Sequence, residues 1–237
     1  MRKAIEILIG EMESKLGGYA ALLNYHFMNL CVKAEPMALI SISVRDNEGE
    51  VRNLEDVAFA MLADDYTFEI IPKDMSLLYA ICKGLFKDHP ELKQDVITPS
   101  DDNRLFREDE NEQHILCRVP EVNKDRHDFL MDAVKTLYDQ CKVEVDKTNV
   151  AYSARLIAKI SGMSEEEIEE AKNKLEDSQQ KYAKICDDYL AAKQKEIEDA
   201  YQRYLDEQTA KKAKQDEIDA TRVNRSSDRM TMGSYEE

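Results

Sequence analysis

The fold of this chain is decided by residues 160–168, ISGMSEEEI, which lie between its two longest helical patterns. Gly162 can end a helix there, because glycine takes the left-handed conformation more easily than any other residue. Ser164 and Glu167 form a Ser-x-x-Glu capping box, in which each side chain accepts a bond from the other residue's backbone N–H. The stretch therefore predicts a tight turn that folds two long helices into a hairpin.

Both arms of this hairpin carry apolar residues three and four positions apart, which is the spacing of one helical face. We expect helices over residues 123–160, capped by Asn123, and from 164 to about 205. A similar pattern covers residues 2–33 and stops at Pro36, because the residue before a proline avoids the helical conformation. Apolar faces of this length pack against each other, so we expect one bundle that buries Leu16, Leu23, Leu137, Cys141, Leu175, Tyr182 and Ile185.

Residues 34–120 have a different pattern, with short apolar alternations that are typical of strands. We expect strands near 39–44, 57–62, 66–71 and 114–119, a short helix capped by Asp74, and an exposed acidic loop at 99–113. The predicted fold class is thus α+β. A long three-helix bundle (1–33 plus 121–213) carries a small β-rich α+β domain (34–120) inserted after the first helix, and a disordered tail follows at 214–237.

The composition limits the partners. The 237 residues include 33 basic and 49 acidic side chains, so the formal net charge is −16. A chain with this balance is a poor nonspecific binder of nucleic acid or of an anionic membrane, unless a local basic patch overrides the total. No apolar stretch approaches the roughly 20 residues that cross a bilayer, and no signal peptide is recognisable. We expect a soluble, cytoplasmic protein that does not bind membranes.

The sequence holds none of the usual motifs of enzymes. It has no phosphate-binding glycine loop, no nucleophile elbow and no Cys/His cluster with the spacing of a metal site. The 4 histidines are isolated, and the 5 cysteines never form a Cys-x-x-Cys pair, so we interpret them as structural residues and reduced thiols. We predict no catalytic residue, no metal site and no cofactor.

Four segments resemble a known family in their order along the chain. Residues 34–39 are similar to its Ala-Ser-Pro-x-x-Leu, and residues 51–58 to its Pro-Leu-x-x-Leu-Ala. Residues 65–76 are similar to its strand, turn and Asp-x-Ser helix cap, and residues 118–129 to its Arg-Val-Pro segment and the following helix start. The family is that of the ribosome recycling factors. The resemblance implies an L-shaped molecule that acts in translation, in ribosome binding and post-termination recycling, with the ribosomal RNA of the large subunit and a translocase GTPase as partners.

The family's arginine motifs are poorly matched. Its Arg-Thr-Gly-Arg-Ala falls on residues 30–34, LCVKA, and its Val-Arg-x-x-Arg-Arg-Asp-Ala falls on residues 145–152, VDKTNVAY. Asn and Thr carry no charge, and Lys does not replace Arg in bidentate phosphate contacts. We therefore expect a degraded RNA-contact surface. The cations that remain for ribosomal RNA are Lys33, Arg126, Lys142, Lys147 and Arg155.

Two other hypotheses remain. The chain is alternatively a diverged paralogue, an acidic protein–protein interaction scaffold without recycling activity that binds a basic protein partner. A plain coiled-coil oligomer explains the helices but gives the inserted domain no purpose. Recycling and the scaffold function stay open at this point.

Overall fold

A computed structural model of the chain describes residues 3–46, 48–98 and 113–232, and the side chains of these residues up to 219. Three long helices form a bundle in which each helix packs against the other two. They are α1 (Lys3–Met28), α4 (Lys124–Lys159) and α5 (Glu165–Met232). The elements between α1 and α4 form a small domain built on an antiparallel sheet. The predicted α+β class is confirmed.

The turn between α4 and α5 forms as its sequence predicts. Gly162 has a left-handed backbone with φ of 74°. The N–H of Ser164 donates to Glu167 Oε2 at 3.3 Å, and the N–H of Glu167 donates to Ser164 Oγ at 3.3 Å. At the other end of α4, Asn123 Oδ1 accepts the N–H of Arg126 at 2.9 Å. These caps satisfy backbone donors that a helix start leaves without partners.

Two apolar clusters hold the bundle together. One packs α1 residues such as Met12 and Leu16 against Tyr152 of α4 and Leu175 of α5. The other packs Leu23 against further residues of α4 and α5. Leu16, Leu23 and Leu175 are buried, as we expected. The remaining residues of the predicted set are half-buried at the edges of the clusters: Leu137, Cys141, Tyr182 and Ile185.

Polar contacts between the helices fix their register. Ser178 Oγ of α5 donates to Glu13 Oε1 of α1 at 2.8 Å. Gln179 is the next residue of α5. Its Nε2 lies 3.3 Å from the carbonyl oxygen of Asn149 and 3.2 Å from Ser153 Oγ, both on α4. Sliding one helix along another would break these bonds and leave half-buried polar groups without partners.

The ends of α1 and α5 differ from the prediction. α1 ends at Met28 rather than at residue 33, because its last turn tightens: the N–H of Leu30 bonds the carbonyl of Phe27, and that of Cys31 bonds Met28. α5 continues to Met232, where we expected a disordered tail from residue 214. Residues 206–220 contain many good helix formers and no Gly or Pro that would end a helix. Residues 233–237 lie outside the described part.

The described residues of the inserted domain form six strands and two short helices. Their bounds are β1 Ser43–Arg45, β2 Val51–Asn53, α2 Leu54–Val57, β3 Ala58–Asp64, β4 Thr67–Pro72, α3 Leu78–Asp88, β5 Lys93–Ile97 and β6 His114–Arg118. β1 and β2 form a hairpin, and the other strands form an antiparallel sheet in the order β3-β4-β6-β5. α3 packs on the hairpin and shares its apolar core with the sheet.

The strand predictions near 57–62, 66–71 and 114–119 correspond to β3, β4 and β6. The one at 39–44 was largely wrong: Pro36–Leu39 is a 3-10 turn and β1 begins only at Ser43, since Pro36 has the fixed φ that favours such a turn. Asp74 caps the segment before α3 as predicted, with Oδ1 accepting the N–H of Ser76 at 2.8 Å. The acidic loop at 99–113 lies outside the described residues, except for Gln113. No helix in the described part of the chain is long and apolar enough to cross a membrane.

Gly84 on α3 allows this helix to approach the backbone of β1 closely. A Cβ there would lie 2.8 Å from the carbonyl oxygen of Ser43 on β1. We expect Gly84→Ala to lower the free energy of unfolding by about 1–2 kcal/mol in chemical denaturation, because the clash outweighs the helix propensity of Ala. Gly18 of α1 has nothing within 4 Å of such a Cβ, so the control Gly18→Ala should raise stability by up to ~1 kcal/mol. Equal effects of the two variants would contradict the close packing at Gly84.

Candidate nucleic-acid interface and domain junction

Three of the predicted RNA contacts are exposed on α4. Lys147 Nζ forms an ion pair with Glu144 Oε1 at 2.7 Å, one turn away. The guanidinium of Arg155 lies 4.8 Å from the centre of the Tyr152 ring, and Lys15 Nζ of α1 approaches the same ring at 5.7 Å. Lys15 thus joins this cationic site, which the sequence analysis missed because its residues lie on different helices.

The structure does not gather the predicted cations of α4 into one patch. At 3.6 residues per turn, Lys142 and Lys147 point about 140° apart around the helix, whereas Lys147 and Arg155 differ by about 80°. Lys147 and Arg155 therefore share one flank of α4, and Lys142 lies on the other. A nucleic acid that follows one flank meets at most two of the three.

Lys33 lies at the boundary between the bundle and the inserted domain. It is exposed and lines a cavity of about 280 Å³ together with Tyr66 of the inserted domain and Lys195 and Arg203 of α5. The guanidinium of Arg203 lies 4.8 Å from the centre of the Tyr66 ring, a distance typical of a cation–π contact. These two cations were not among the predicted contacts, because Lys195 and Arg203 lie more than 150 positions from Lys33 in the sequence.

Arg126 is the one predicted RNA contact that is not an exposed cation. Its side chain is half-buried, and Nη2 donates to the carbonyl oxygen of Cys31 at 2.9 Å. Burial lowers the pKa of Arg126, although an arginine stays charged at any physiological pH. Its guanidinium therefore connects the start of α4 to the segment that leaves α1.

The Cys31 segment is also bonded to the inserted domain. Cys31 has φ of 46°, a left-handed conformation that is uncommon for a residue with a side chain. Its Sγ lies 3.6 Å from His89 Nδ1, which also lies 2.9 Å from Glu91 Oε1, and His89 Nε2 lies 2.9 Å from the carbonyl oxygen of Ala38. We call Cys31, His89 and Glu91 the junction cluster. Burial alone would lower the pKa of His89, but its bonds to Cys31 and Glu91 outweigh this and raise it to about 10.

One turn of the inserted domain holds both segments that connect it to the bundle. The carbonyl oxygen of Asp65 accepts the N–H of Ala34 at 2.8 Å, and that of Tyr66 accepts the N–H of Val119 at 2.8 Å. Ala34 lies on the segment that enters the domain, and Val119 on the segment that leaves it. The turn between β3 and β4 therefore binds both connecting segments and holds them next to each other.

His127 connects α4 to α5 close to this junction. Its Nδ1 lies 3.0 Å from Asp128 Oδ1 and its Nε2 lies 3.0 Å from Glu198 Oε2 on α5. Its ring lies on Tyr201 of α5, with 4.6 Å between the ring centres. The bonds to Asp128 and Glu198 favour the protonated ring and raise the pKa of His127.

Comparison with known proteins gives a consistent result. The model of the family "Ribosome recycling factor" matches residues 26–197. A ribosome-recycling factor of Flavobacterium johnsoniae is 26% identical over an alignment of 201 residues, and the match covers 83% of this chain and 98% of that protein.

Solved structures agree at the level of the fold. A solution structure of the ribosome recycling factor has a TM-score of 0.63 and 18% identity, covering 84% of this chain and all of that one. A model of the Thermus thermophilus factor, placed with Escherichia coli elongation factor G on the E. coli post-termination complex, has a TM-score of 0.52 and 19% identity. It covers 81% of this chain and 98% of that one.

The raised pKa of His127 predicts a pH-dependent stability. The protonated ring is favoured in the fold, so its contribution is complete below the unfolded pKa of 6.5 and is lost as the pH rises through the higher folded value. We expect the difference in free energy of unfolding between wild type and His127→Gln to shrink over this pH range. The change should be no more than ~1 kcal/mol, because both carboxylates are exposed. Urea denaturation at several pH values measures it. Parallel pH profiles of the two proteins would show that the bonds of His127 to Asp128 and Glu198 contribute nothing to stability.

Proposed function

Since this chain belongs to the ribosome recycling factor family, we propose that it binds ribosomes and takes part in their recycling after translation termination. We further propose that it works with a translocase GTPase, by analogy with the related factor that was placed with elongation factor G on a post-termination complex. The role is one of binding and mechanical action and not of catalysis.

The match of the family model to residues 26–197 carries this proposal. The matched region runs from the end of α1 through the whole inserted domain and α4 into α5. It thus includes the inserted domain and both of its connections to the bundle. A protein kept only as a helical scaffold would need no such inserted domain.

We propose in addition that the contact surface for ribosomal RNA is weaker than in the family's usual pattern. Three positions where the family carries arginine hold Asp146, Asn149 and Val150. Asp146 is exposed, and 71% of Val150 is exposed, so an acid and an apolar side chain face the solvent there. The carbonyl oxygen of Asn149 accepts a bond from Gln179, which directs that residue's backbone to the bundle.

The remaining cations must bind against the charge of the whole chain. A net charge of −16 repels RNA, although salt screens this repulsion beyond about 8–10 Å. Lys33, Lys142, Lys147 and Arg155 are exposed and are the predicted contacts that keep this role in our proposal. Arg126 is bonded to Cys31, and we assign it to the junction.

The alternative is an acidic interaction scaffold without recycling activity. The observation in its favour is that Asp146 and Val150 of α4 offer an acid and an exposed apolar side chain to a protein partner. A basic partner protein would be attracted by the net charge. Ribosome binding distinguishes this function from recycling.

Sedimentation with vacant ribosomes tests the main proposal. We expect weak binding at about 0.1 M salt that falls as salt rises, with a logarithmic slope of roughly 0.7–0.9 per neutralised phosphate. Lys33→Glu and Lys147→Glu should each weaken binding by about three- to tenfold, because each replaces a cation by an anion at the RNA surface. Lys211→Glu, at an exposed lysine far along α5, is the control and should have little effect.

A gain of binding gives the sharper test of the weakened surface. We expect Asp146→Arg with Val150→Arg to raise ribosome affinity by at least about tenfold and to steepen the salt slope by roughly one per added phosphate contact. Both residues are exposed, so the fold should tolerate the change. No binding by wild type or by this variant at low salt, together with a basic protein partner recovered by pull-down, would establish the scaffold function instead.

A further inference from the structure

We propose that the junction cluster of Cys31, His89 and Glu91 is a binding site for a divalent metal ion of the Zn²⁺ class. The ligand atoms of these three side chains all lie within 4.8 Å of one another. Thiolate, imidazole and carboxylate are the ligands that zinc takes in proteins. The inference is independent of ribosome binding, since it rests on the contacts of these side chains alone.

The two distances from His89 Nδ1 to the other ligand atoms are close to those between ligands of one ion. Two ligands on a tetrahedral zinc, with Zn–S near 2.3 Å and Zn–N near 2.0 Å, lie roughly 3.5 Å apart. Cys31 Sγ and His89 Nδ1 are 3.6 Å apart. Glu91 Oε1 lies 2.9 Å from the same nitrogen and need move outward by only about 0.4 Å to reach the separation of two such ligands.

The surroundings of His89 are those of a metal ligand. Its Nε2 lies 2.9 Å from the carbonyl oxygen of Ala38, an acceptor, so the ring donates there. Ligating histidines are oriented by this kind of bond from their second nitrogen. Nδ1 then faces the carboxylate of Glu91 and the sulfur of Cys31. Two acceptors at 2.9 Å repel each other unless a cation lies between them, and that cation is either a proton or a metal ion.

The burial of the ligands suits a site with one open position. Cys31 is fully buried and His89 almost so, whereas about 30% of the Glu91 side chain is exposed. An ion can therefore enter past Glu91, and water completes its coordination. Three protein ligands and one water are a common set for zinc.

The charge of Arg126 does not oppose the ion. Binding of a divalent cation releases one proton from His89 and one from the Cys31 thiol, so two positive charges leave and two arrive. The net charge of the cluster stays the same, and the guanidinium can keep its bond to the Cys31 carbonyl. A bound ion would form a direct bond to each of the three side chains, in place of the weak contacts between them.

A bound ion would join the two domains. Cys31 lies on the segment that leaves α1, and His89 and Glu91 follow α3 of the inserted domain. The site thus restricts motion of the domain against the bundle in the metal-loaded protein. No motif in the sequence marks this site, because Cys31 and His89 are 58 positions apart.

Titration of the full-length protein with Co²⁺, which substitutes for zinc and absorbs light, tests the proposal. We expect one ion per chain, a near-ultraviolet charge-transfer band from the thiolate, and displacement of the cobalt by Zn²⁺. Cys31→Ser should abolish the band, and Cys31→Ser and Glu91→Gln should each weaken binding by about 100-fold, as removal of a direct ligand costs at least as much as removal of its supporting bonds.

Cys82→Ser is the matched control, since Cys82 is a half-buried thiol of α3 outside the cluster, and it should bind cobalt as wild type does. Circular dichroism of each variant checks that it is folded. The proposal is overturned if folded wild type binds no cobalt with a thiolate band, or if Cys31→Ser and Glu91→Gln bind it as tightly as wild type.

Discussion

The turn of Asp65 and Tyr66 between β3 and β4 accepts backbone bonds from both segments that connect the inserted domain to the bundle. The rest of the junction depends on this constraint. Because Ala34 is fixed there, Cys31 is held close to His89 of the inserted domain and to Arg126 of α4. Arg203 of α5 lies on the Tyr66 ring from the bundle side. The position of the domain is therefore set at a few residues near its two connections.

The features that the sequence predicted well involve neighbours in the chain. The capping box at Ser164 and Glu167, the cap at Asn123 and the left-handed Gly162 each depend on residues within a few positions, and all of them form. β5 at Lys93–Ile97 was missed, because KQDVI has only two apolar residues and no strict alternation. Such a strand is specified by its pairing with β6, which a local pattern does not show.

The candidate sites were harder to predict, for two physical reasons. A sequence shows that Arg126 is charged but not where its guanidinium points, and the fold directs it to the Cys31 carbonyl. A sequence also shows no contact across long separations, so Lys15 beside Tyr152, Arg203 on Tyr66 and the junction cluster became visible only in the structure. The family resemblance, in contrast, was carried by short segments in a fixed order, and the family comparison confirmed it.

Two properties of this protein are distinct: it keeps the two-domain fold of the recycling factors, and we propose that its RNA-contact surface is weakened. The rate at which post-termination ribosomes split into subunits, followed by light scattering with a translocase GTPase and GTP at increasing protein concentration, tests this most directly. We expect splitting that reaches the plateau of a fully arginine-bearing family member, but only at higher protein concentration. No splitting at concentrations that saturate ribosome binding would contradict the account.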